Sequence, residues 1–399
     1  MVIVHKYGGS SVATTQQIEK IAEHIKELWL GGTQVVVVAS AMGKTTNNLI
    51  SLSNEISTHP NKRELDALLS TGETQTVSLL SIALTHLGVP SVSLTGMQAG
   101  IQTNNNHTHA FIESIDISKV KNYLNQNKVV VVAGFQGVTN QGDTTTLGRG
   151  GSDTTAVAIA SALNCECEIY TDVDCIYTIN PAFFPKAKEL HQITFDEVME
   201  MAVGGAKVLE PRSVELAKKN NIKLYLGKTL VKDKSRGTYL VNNKFEDMPI
   251  TNLSVRDSVC MVSVAFEEDD GNSTITHIFD TLKSKSINLE MVSQVSVEDA
   301  TLLTFAVPSA DVDDILDSLS VSLNLEDVSI YAERDLCKII LVGIGFLTHK
   351  DLVHSIFETL TENDINFSHI SMSEISVSFT ISPSLKDKAI SVLAERFEL

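Results

Sequence analysis

Residues 2–11 read VIVHKYGGSS, an apolar strand that runs directly into two glycines and two serines. Glycine lets the backbone approach a phosphate closely, and a helix that follows such a loop presents its N-terminal amides to an anion. Lys6 adds a positive charge at the end of the strand. The segment predicts a strand–loop–helix unit in which Gly8, Gly9 and Ser10 bind phosphate, although an ordinary strand-to-helix turn with a surface lysine would explain the same residues.

The alternation of strand and helix continues through the first 240 residues. Residues 34–40 (QVVVVAS) and 129–135 (VVVVAGF) are β-branched runs without polar alternation, which is typical of strands buried on both faces. One helical pattern, at residues 18–28, precedes both runs, and another, at residues 64–87, lies between them. We therefore predict an α/β fold with a doubly wound, mostly parallel sheet, which binds ligands at the carboxyl ends of its strands.

The C-terminal part of the chain repeats itself. Residues 278–282 read IFDTL and residues 356–360 read IFETL, at an offset of 78 residues. Each copy fits a strand, a helix and two further strands, so the pair predicts ferredoxin-like β-α-β-β-α-β modules. The predicted organisation is a catalytic domain, an irregular linker and two modules, with the boundaries 1–240, 241–257, 258–332 and 333–399.

Composition restricts the partners and the compartment. The 399 residues carry a formal net charge of −18, so nucleic acid and anionic membranes are not expected as partners. The N-terminus lacks the pattern of a secretory signal, and the five cysteines are an odd number, so we expect reduced thiols in the cytoplasm. Cys165 and Cys167 form a C-x-C pair, for which burial beside a strand is the alternative to a metal site.

A second glycine-rich loop opens an alanine-rich helical segment at residues 148–153 (GRGGSD). Three glycines in four positions at a helix start predict another anion cradle. Arg149 is able to hold a carboxylate in a bidentate fork. Helix capping by Ser152 or Asp153 is the alternative explanation of the last two residues.

Two further segments carry polar groups of interest. The GKTT string at residues 43–46 is not a Walker A loop, because the glycine that this motif needs further upstream is absent. Its neighbourhood still offers the hydroxyls of Ser40 and Thr45. Glu73 follows a glycine that costs stability inside a helical pattern, so we expect a polar role for the carboxylate at this position.

Six motifs, taken in order, resemble those of the aspartate kinase family, and the paired C-terminal modules resemble its ACT regulatory domains. The motifs are KYGGSSV (6–12), STGE (70–73), TGMQAGI (95–101), GRGGSDTTA (148–156), TDVDCIYTINPA (171–182) and MAVGGAKVL (201–209). The resemblance covers the whole chain and implies the amino-acid kinase fold.

The resemblance also implies a reaction. A family member phosphorylates the side-chain carboxylate of L-aspartate with ATP and Mg²⁺, as the first step of lysine, threonine and methionine (diaminopimelate) biosynthesis. It implies feedback inhibition by lysine and/or threonine through the ACT domains, and a homodimer or higher oligomer formed through them. The alternative for the ACT pair is that both copies only build the dimer.

Site residues are carried over by matching positions, and no metal ligand is assigned. The implied catalytic residues are Lys6, Gly9, Ser152 and Asp153. The implied substrate-binding residues are Ser40, Thr45, Glu73 and Arg149. The implied nucleotide-binding residues are Lys6, Gly8, Gly9, Ser10, Thr171, Asp172, Tyr177 and Lys207. The implied effector contacts are Asp270, Asn288, Leu289 and Glu290.

The sequence departs from the family pattern around the nucleotide. Cys175 replaces a usual glycine, Asn180 and Ala182 replace an aspartate and an arginine, and Glu210 stands where histidine is common. Two alternative functions remain open at this point. One is a related kinase that acts on glutamate, acetylglutamate or a nucleotide, and the other is an amino-acid sensor with an inactive kinase domain.

Overall fold

The computed structural model describes residues 1–206, 208–244, 248–267, 271–285, 287, 289–297, 300–323 and 328–399, except for the side chains of 271, 272, 297 and 347. The chain forms two compact units. The first unit contains Met1–Ile176, Glu189–Ala202 and Lys207–Phe245, and the second contains Tyr177–Lys188, Val203–Ala206 and Glu246–Leu399. Within the described ranges, no helix has the length and apolarity needed to cross a membrane.

Strands and helices alternate from residue 2 to residue 241. The strands are β1 (Val2–Tyr7), β2 (Gln34–Ala39), β3 (Ser91–Leu94), β4 (Ile101–Thr103), β5 (Ile112–Ile115), β6 (Val129–Ala133), β7 (Gln136–Val138), β8 (Thr144–Thr146), β9 (Glu166–Thr171), β10 (Ile176–Tyr177), β11 (Glu189–Leu190), β12 (Gln192–Thr194), β13 (Leu224–Lys228) and β14 (Thr238–Val241). The helices are α1 (Thr15–Leu30), α2 (Thr45–Ile56), α3 (Lys62–His86), α4 (Ser118–Asn125), α5 (Gly151–Leu163), α6 (Phe195–Val203) and α7 (Pro211–Lys219).

An eight-stranded sheet forms the centre of the first unit. Its order is β12-β14-β13-β9-β1-β2-β6-β3. The β13–β14 pair is antiparallel, and the other neighbouring pairs are parallel. A four-stranded sheet of order β5-β4-β7-β8 accompanies it. The predicted α/β class with a mostly parallel sheet is confirmed.

Helices cover both faces of this sheet, which explains the unbroken valine runs. Every valine of β2 and β6 is fully buried. On one face, Val35 and Val37 belong to the same apolar cluster as Ile21 of α1 and Leu80 of α3. Helix α5 packs against β1, β2 and β9. Because neither face of these strands meets water, no polar alternation is left in the sequence.

The second unit contains a six-stranded antiparallel sheet of order β16-β17-β15-β18-β20-β19. Its strands are β15 (Asn252–Glu267), β16 (Glu290–Val297), β17 (Ala300–Pro308), β18 (Val328–Val342), β19 (Phe367–Met372) and β20 (Ser376–Ile381). Its helices are α8 (Gly271–Ser284), α9 (Val312–Ser322), α10 (Leu352–Glu362) and α11 (Lys386–Arg396).

Two long strands, β15 and β18, run through both sequence repeats. Residues 259–266 of β15 pair with the first part of β18, and residues 252–256 pair with its last part. Each half has its own apolar cluster, one around Phe305 and one around Phe379. The repeated IFxTL segments occupy equivalent helices, since α8 contributes Ile278 to the first cluster and α10 contributes Ile356 to the second.

The strand that begins at Asn252 corrects one prediction. Residues 252–257 were expected in an irregular linker, but they form the start of β15. Asn252 and Ser254 are buried in spite of their polarity, while Leu253 enters the apolar cluster around Phe379. The buried polar residues hide the apolar run that would otherwise have indicated a strand.

Candidate active site

The end of β1 and the first turn of α5 bring Lys6 and Asp153 together. The Lys6 Nζ atom lies 2.6 Å from Asp153 Oδ1, and only 11% and 14% of the two side chains are exposed. A Cβ atom added to Gly8 would lie 3.5 Å from this Nζ atom, so the ammonium group lies against the first glycine loop (residues 8–11). A largely buried cation beside a glycine loop is suited to neutralise phosphate oxygens.

The first glycine loop packs backbone to backbone against the loop after β2. Gly43 N donates a hydrogen bond to Gly9 O over 3.0 Å, and Gly8 N donates to Tyr170 O over 3.2 Å. A Cβ atom at Gly9 would lie 2.9 Å from Ala41 O. Glycine at position 9 is therefore required by the close approach of the two loops, and Ser10 is exposed beside it.

Glu73, on α3, contacts the loop that follows β2. Its Oε1 atom accepts a hydrogen bond from Ala41 N over 3.1 Å, whereas its buried Oε2 atom has no partner among the described residues. Burial raises the pKa of Glu73 to about 7, against the lowering effect of its backbone hydrogen bonds. Glycine at position 72 is explained by the lack of space for a side chain. A Cβ atom there would lie 2.9 Å from Ala41 Cβ and 3.4 Å from Thr45 Cγ2.

Ser40 and Thr45, whose hydroxyl groups were predicted to bind substrate, lie in sequence before and after Ala41, the residue that bonds Glu73. Ser40 N donates to Tyr7 O over 3.1 Å at the end of β1, and Ser40 is half-buried. The Thr45 hydroxyl donates to Met42 O over 2.7 Å at the start of α2. The structure thus brings Ser40, Thr45 and Glu73 to one loop, next to the first glycine loop.

The second glycine loop (residues 148–151) leads into α5. Gly148 and Gly150 have φ angles of +79° and +65°, which favour glycine. Gly150 is the N-cap of α5, and no described side chain caps the helix. Capping by Ser152 or Asp153 is therefore wrong as an explanation. The Ser152 Oγ atom instead packs 2.7 Å from the position that a Cβ atom would take on Gly134.

Glu210 packs on the second glycine loop. A Cβ atom on Gly150 would lie 2.4 Å from Glu210 Cβ. Burial and the negative charge of Asp153 raise the pKa of Glu210, while the charges of Arg149 and Arg212 oppose this shift. Arg149 is exposed, and its positive charge acts on the Glu210 carboxylate. The negative charge of Asp153, four residues later, acts on the same carboxylate.

Thr171 and Asp172 lie at the carboxyl end of β9. Thr171 O accepts hydrogen bonds from Thr229 N over 2.9 Å and from the Thr229 hydroxyl over 3.0 Å. The Thr229 hydroxyl is also 2.5 Å from that of Ser11, so the ends of β9 and β13 meet the first glycine loop. The Thr171 hydroxyl donates to Asp172 Oδ1 over 2.9 Å.

The remaining predicted residues either belong to the second unit or lie outside the described residues. Tyr177 belongs to the second unit. Lys207, Asp270 and Asn288 lie outside the described residues. Leu289 and Glu290 are described in the second unit, where Glu290 Oε2 is 2.8 Å from Lys338 Nζ and Oε1 bonds Arg256.

Asp66 is a buried residue that the sequence analysis missed. Its carboxylate accepts hydrogen bonds from Thr108 N over 3.0 and 3.1 Å, from the Thr146 hydroxyl over 2.5 Å, and lies 2.8 Å from His107 Nδ1. It thereby ties α3 to the segment before the second glycine loop. The available signal was its position on the buried face of α3, three residues before Leu69.

Replacing Asp66 by asparagine is expected to lower the free energy of unfolding by about 2 kcal/mol, because an NH₂ group would face donors that now share a carboxylate. Urea unfolding of the full chain measures this change. Asp196→Asn is the matched control, since Asp196 is half-exposed and pairs only at the surface with Lys218. Equal stability of the Asp66 and Asp196 variants would contradict the structural role of Asp66.

Comparison with known proteins identifies the family. The model of the amino acid kinase family matches residues 1–228, and that of the ACT domain matches residues 339–397. An aspartokinase of Bacillus sp. strain MGA3 is 40% identical over 403 residues, which cover 100% of this chain and 97% of the relative.

Solved aspartokinases share the fold. Aspartokinase III of E. coli in complex with aspartate and ADP (R-state) covers 100% of both chains, with a TM-score of 0.80 and 22% identity. The same enzyme with lysine and aspartate (T-state) covers 99% of both chains, with a TM-score of 0.76 and 22% identity. The chain therefore belongs to the aspartokinase family of amino acid kinases.

Proposed function

We propose that this enzyme transfers the γ-phosphoryl group of ATP to the side-chain carboxylate of L-aspartate, in the first step of lysine, threonine and methionine (diaminopimelate) biosynthesis. The observation that carries the proposal is the largely buried Lys6–Asp153 ion pair beside Gly8. The names of the relatives, and the aspartate and ADP bound to E. coli aspartokinase III, support the same reaction.

The chemistry needs positioning more than proton transfer. The attacking carboxylate of aspartate is already ionised at neutral pH, so no strong general base is required. Lys6 neutralises charge on the transferring phosphoryl group, and Asp153 holds the Lys6 ammonium in place. The amides of the first glycine loop and of the start of α5, where Ser152 lies, complete the phosphate site.

The aspartate backbone occupies the other side of this site. The half-satisfied carboxylate of Glu73 binds the α-ammonium group, and Arg149 binds the α-carboxylate. Ser40 and Thr45 add hydroxyl contacts. Two anions, aspartate and ATP, are thereby held within reach of one lysine.

Mg²⁺ enters as the ion of MgATP. A phosphate-bound Mg²⁺ takes only one or two protein carboxylates, and Asp153 at the second glycine loop fits such a ligand. When bound, the ion neutralises phosphate charge. The nucleotide itself contacts Thr171, Asp172, Tyr177 and Lys207 in this proposal.

Glu210 is expected to weaken ATP binding. Its carboxylate lies at the second glycine loop and would repel phosphate, so Glu210→Gln should lower the KM for ATP by about two- to threefold. The raised pKa of Glu210 sets the pH dependence, because the wild-type side chain becomes neutral at low pH. The advantage of the glutamine variant should therefore shrink as the pH falls, and a KM ratio independent of pH would contradict the prediction.

A coupled assay of ADP release tests the function and separates it from its alternatives. Aspartate, glutamate and acetylglutamate are each supplied with MgATP. We expect turnover with aspartate and little with the other two. Faster turnover with glutamate would indicate a related kinase, and no aspartate-dependent ADP would indicate an amino-acid sensor.

We further propose that the C-terminal unit regulates the enzyme by binding lysine and/or threonine and that ACT pairing forms a homodimer or a higher oligomer. Within this proposal the catalytic domain is 1–240, the two ACT domains are 258–332 and 333–399, and Leu289 and Glu290 lie near the effector. The lysine bound to E. coli aspartokinase III supports this type of control. Activity titrated with lysine, threonine and methionine, singly and in pairs, tests it, and constant activity would overturn it.

A further inference from the structure

Arg212 lies in the first turn of α7, in a position where a positive charge is unfavourable. The N-terminus of a helix repels cations, because its free amides carry partial positive charge. Arg212 is also half-buried, and burial lowers the pKa of its guanidinium group. An arginine kept under these conditions must make contacts that outweigh both costs.

The contacts of Arg212 are with two main-chain carbonyl groups that are far apart in sequence. Its Nη1 atom donates hydrogen bonds to Ala110 O over 3.0 Å and to Leu147 O over 3.3 Å. The guanidinium carbon also lies 4.4 Å from the centre of the Phe111 ring. A planar guanidinium group suits this arrangement because it bonds at its edge and stacks on its face.

The Leu147 carbonyl belongs to the segment that leads into the second glycine loop, and the Ala110 carbonyl belongs to a segment that pairs with it. Ala110 N donates to Thr146 O over 2.9 Å, so the two chain segments are already paired there. Leu147 is the last residue before Gly148, and its amide donates to Phe135 O over 2.9 Å. Arg212 therefore completes a fixed base from which the loop starts.

The loop itself has little intrinsic conformational preference. Gly148 and Gly150 both take positive φ angles, and glycine restricts the backbone less than any other residue. The loop must therefore be positioned by its surroundings. Its C-terminal end is fixed by Glu210 against Gly150, and its N-terminal end is fixed through Leu147.

We infer that Arg212 is a positioning residue that holds the second glycine loop and thereby places Arg149 for the α-carboxylate of aspartate. The kinetic part of this inference rests on the proposed function, whereas the structural part does not. Arg212 has no contact with the reacting atoms in this scheme. It acts through the Leu147 carbonyl.

Kinetics of Arg212→Ala, Arg212→Lys and the control Arg63→Ala test the inference. Arg63 is a half-exposed arginine whose partners are the carboxylates of Glu64 and Asp143. Since misplacement of a binding group by about 1 Å costs up to about 100-fold, we expect Arg212→Ala to raise the KM for aspartate about tenfold. The KM for ATP should change little. Lysine, which cannot bridge both carbonyls and stack, should restore only part of the affinity.

Two readouts separate positioning from general destabilisation. Free guanidinium should partly restore aspartate affinity to Arg212→Ala, and a purely structural loss would not respond to it. Hydrogen exchange of the peptide spanning residues 144–153 should be faster in both Arg212 variants than in wild type and Arg63→Ala. The exchange measurement stays valid if aspartate proves not to be the substrate. If the alanine variant does not fold, Arg212→Lys replaces it in both experiments.

Unchanged exchange in this peptide would overturn the inference, whatever the kinetics show. So would a loss of activity that equals the loss of folded protein, with both KM values unaltered. A third outcome is faster exchange in the variants together with a wild-type protein that shows no aspartate-dependent turnover. That outcome would support the loop-positioning role of Arg212 and reject the proposed function.

Discussion

Replacing Lys6 by methionine is expected to lower kcat by about 10²–10³, the usual loss when one donor to a transition state is removed. Methionine keeps the length and apolar stem of lysine but cannot neutralise phosphate charge. In the proposed mechanism the ammonium group acts on charge that develops during transfer, so the KM for aspartate should change far less than kcat. Steady-state ADP release with saturating aspartate and MgATP measures both quantities.

The ion pair offers a sharper test than the single variant. If Asp153 acts by holding the Lys6 ammonium group, which is 2.6 Å away, the two residues form one functional unit. Asp153→Asn should then reduce kcat, and the double variant should be little worse than Lys6→Met alone. Exposed Lys20 on α1 provides the control, since Lys20→Met changes the same residue types away from the site. Additive losses would show that the two side chains act independently.

The parts of the site that the sequence predicted are those with a local cause. A glycine loop after a buried strand needs only its own residues to be recognised, and Lys6, Gly8 and Gly9 were predicted in this way. In the strand order β9-β1-β2-β6, neighbouring strands are parallel and therefore end at the same edge of the sheet. This order alone brings together the loops that follow these strands.

The parts that were missed depend on contacts between distant residues. Asp66 bonds Thr146, 80 positions away, and nothing in the helix around it indicates this partner. Gly72 was interpreted only as a cost to the helix. The structure shows that a side chain at this position would collide with Ala41, because a Cβ atom there would lie 2.9 Å from Ala41 Cβ. A steric requirement of this kind is invisible until the fold is known.

Replacing Glu73 by glutamine is expected to raise the KM for aspartate about 100-fold, within the range for removing one partner of a buried charge pair. Glutamine retains an oxygen for the 3.1 Å bond from Ala41 N, so the loop should stay in place. The variant loses the negative charge that the proposed function places beside the substrate ammonium group. The KM for ATP should remain near the wild-type value, and a variant with both KM values raised would indicate a collapsed loop instead.

The pH dependence follows from the pKa of Glu73, which burial raises to about 7. Only the ionised carboxylate attracts the α-ammonium group, so wild-type aspartate affinity should rise with pH and level off above about 7. Glu73→Gln has no such group and should give a flat profile over this range. Glu64→Gln on the exposed start of α3 is the control and should keep the wild-type profile.

Stability should change in the opposite direction to affinity. The folded pKa of Glu73 is about 7 against 4.5 in the unfolded chain, so between these values the folded state holds a proton that the unfolded state has lost. Wild-type stability therefore falls as the pH rises through this window, and the loss persists above it. Glu73→Gln removes the cost, so it should unfold at a higher urea concentration at pH 8 than wild type does. Retention of a destabilising carboxylate where a neutral isostere would fit is the expected result if the proposed function is right and Glu73 binds the substrate ammonium group. A glutamine variant that is less stable than wild type at pH 8 would contradict that reasoning.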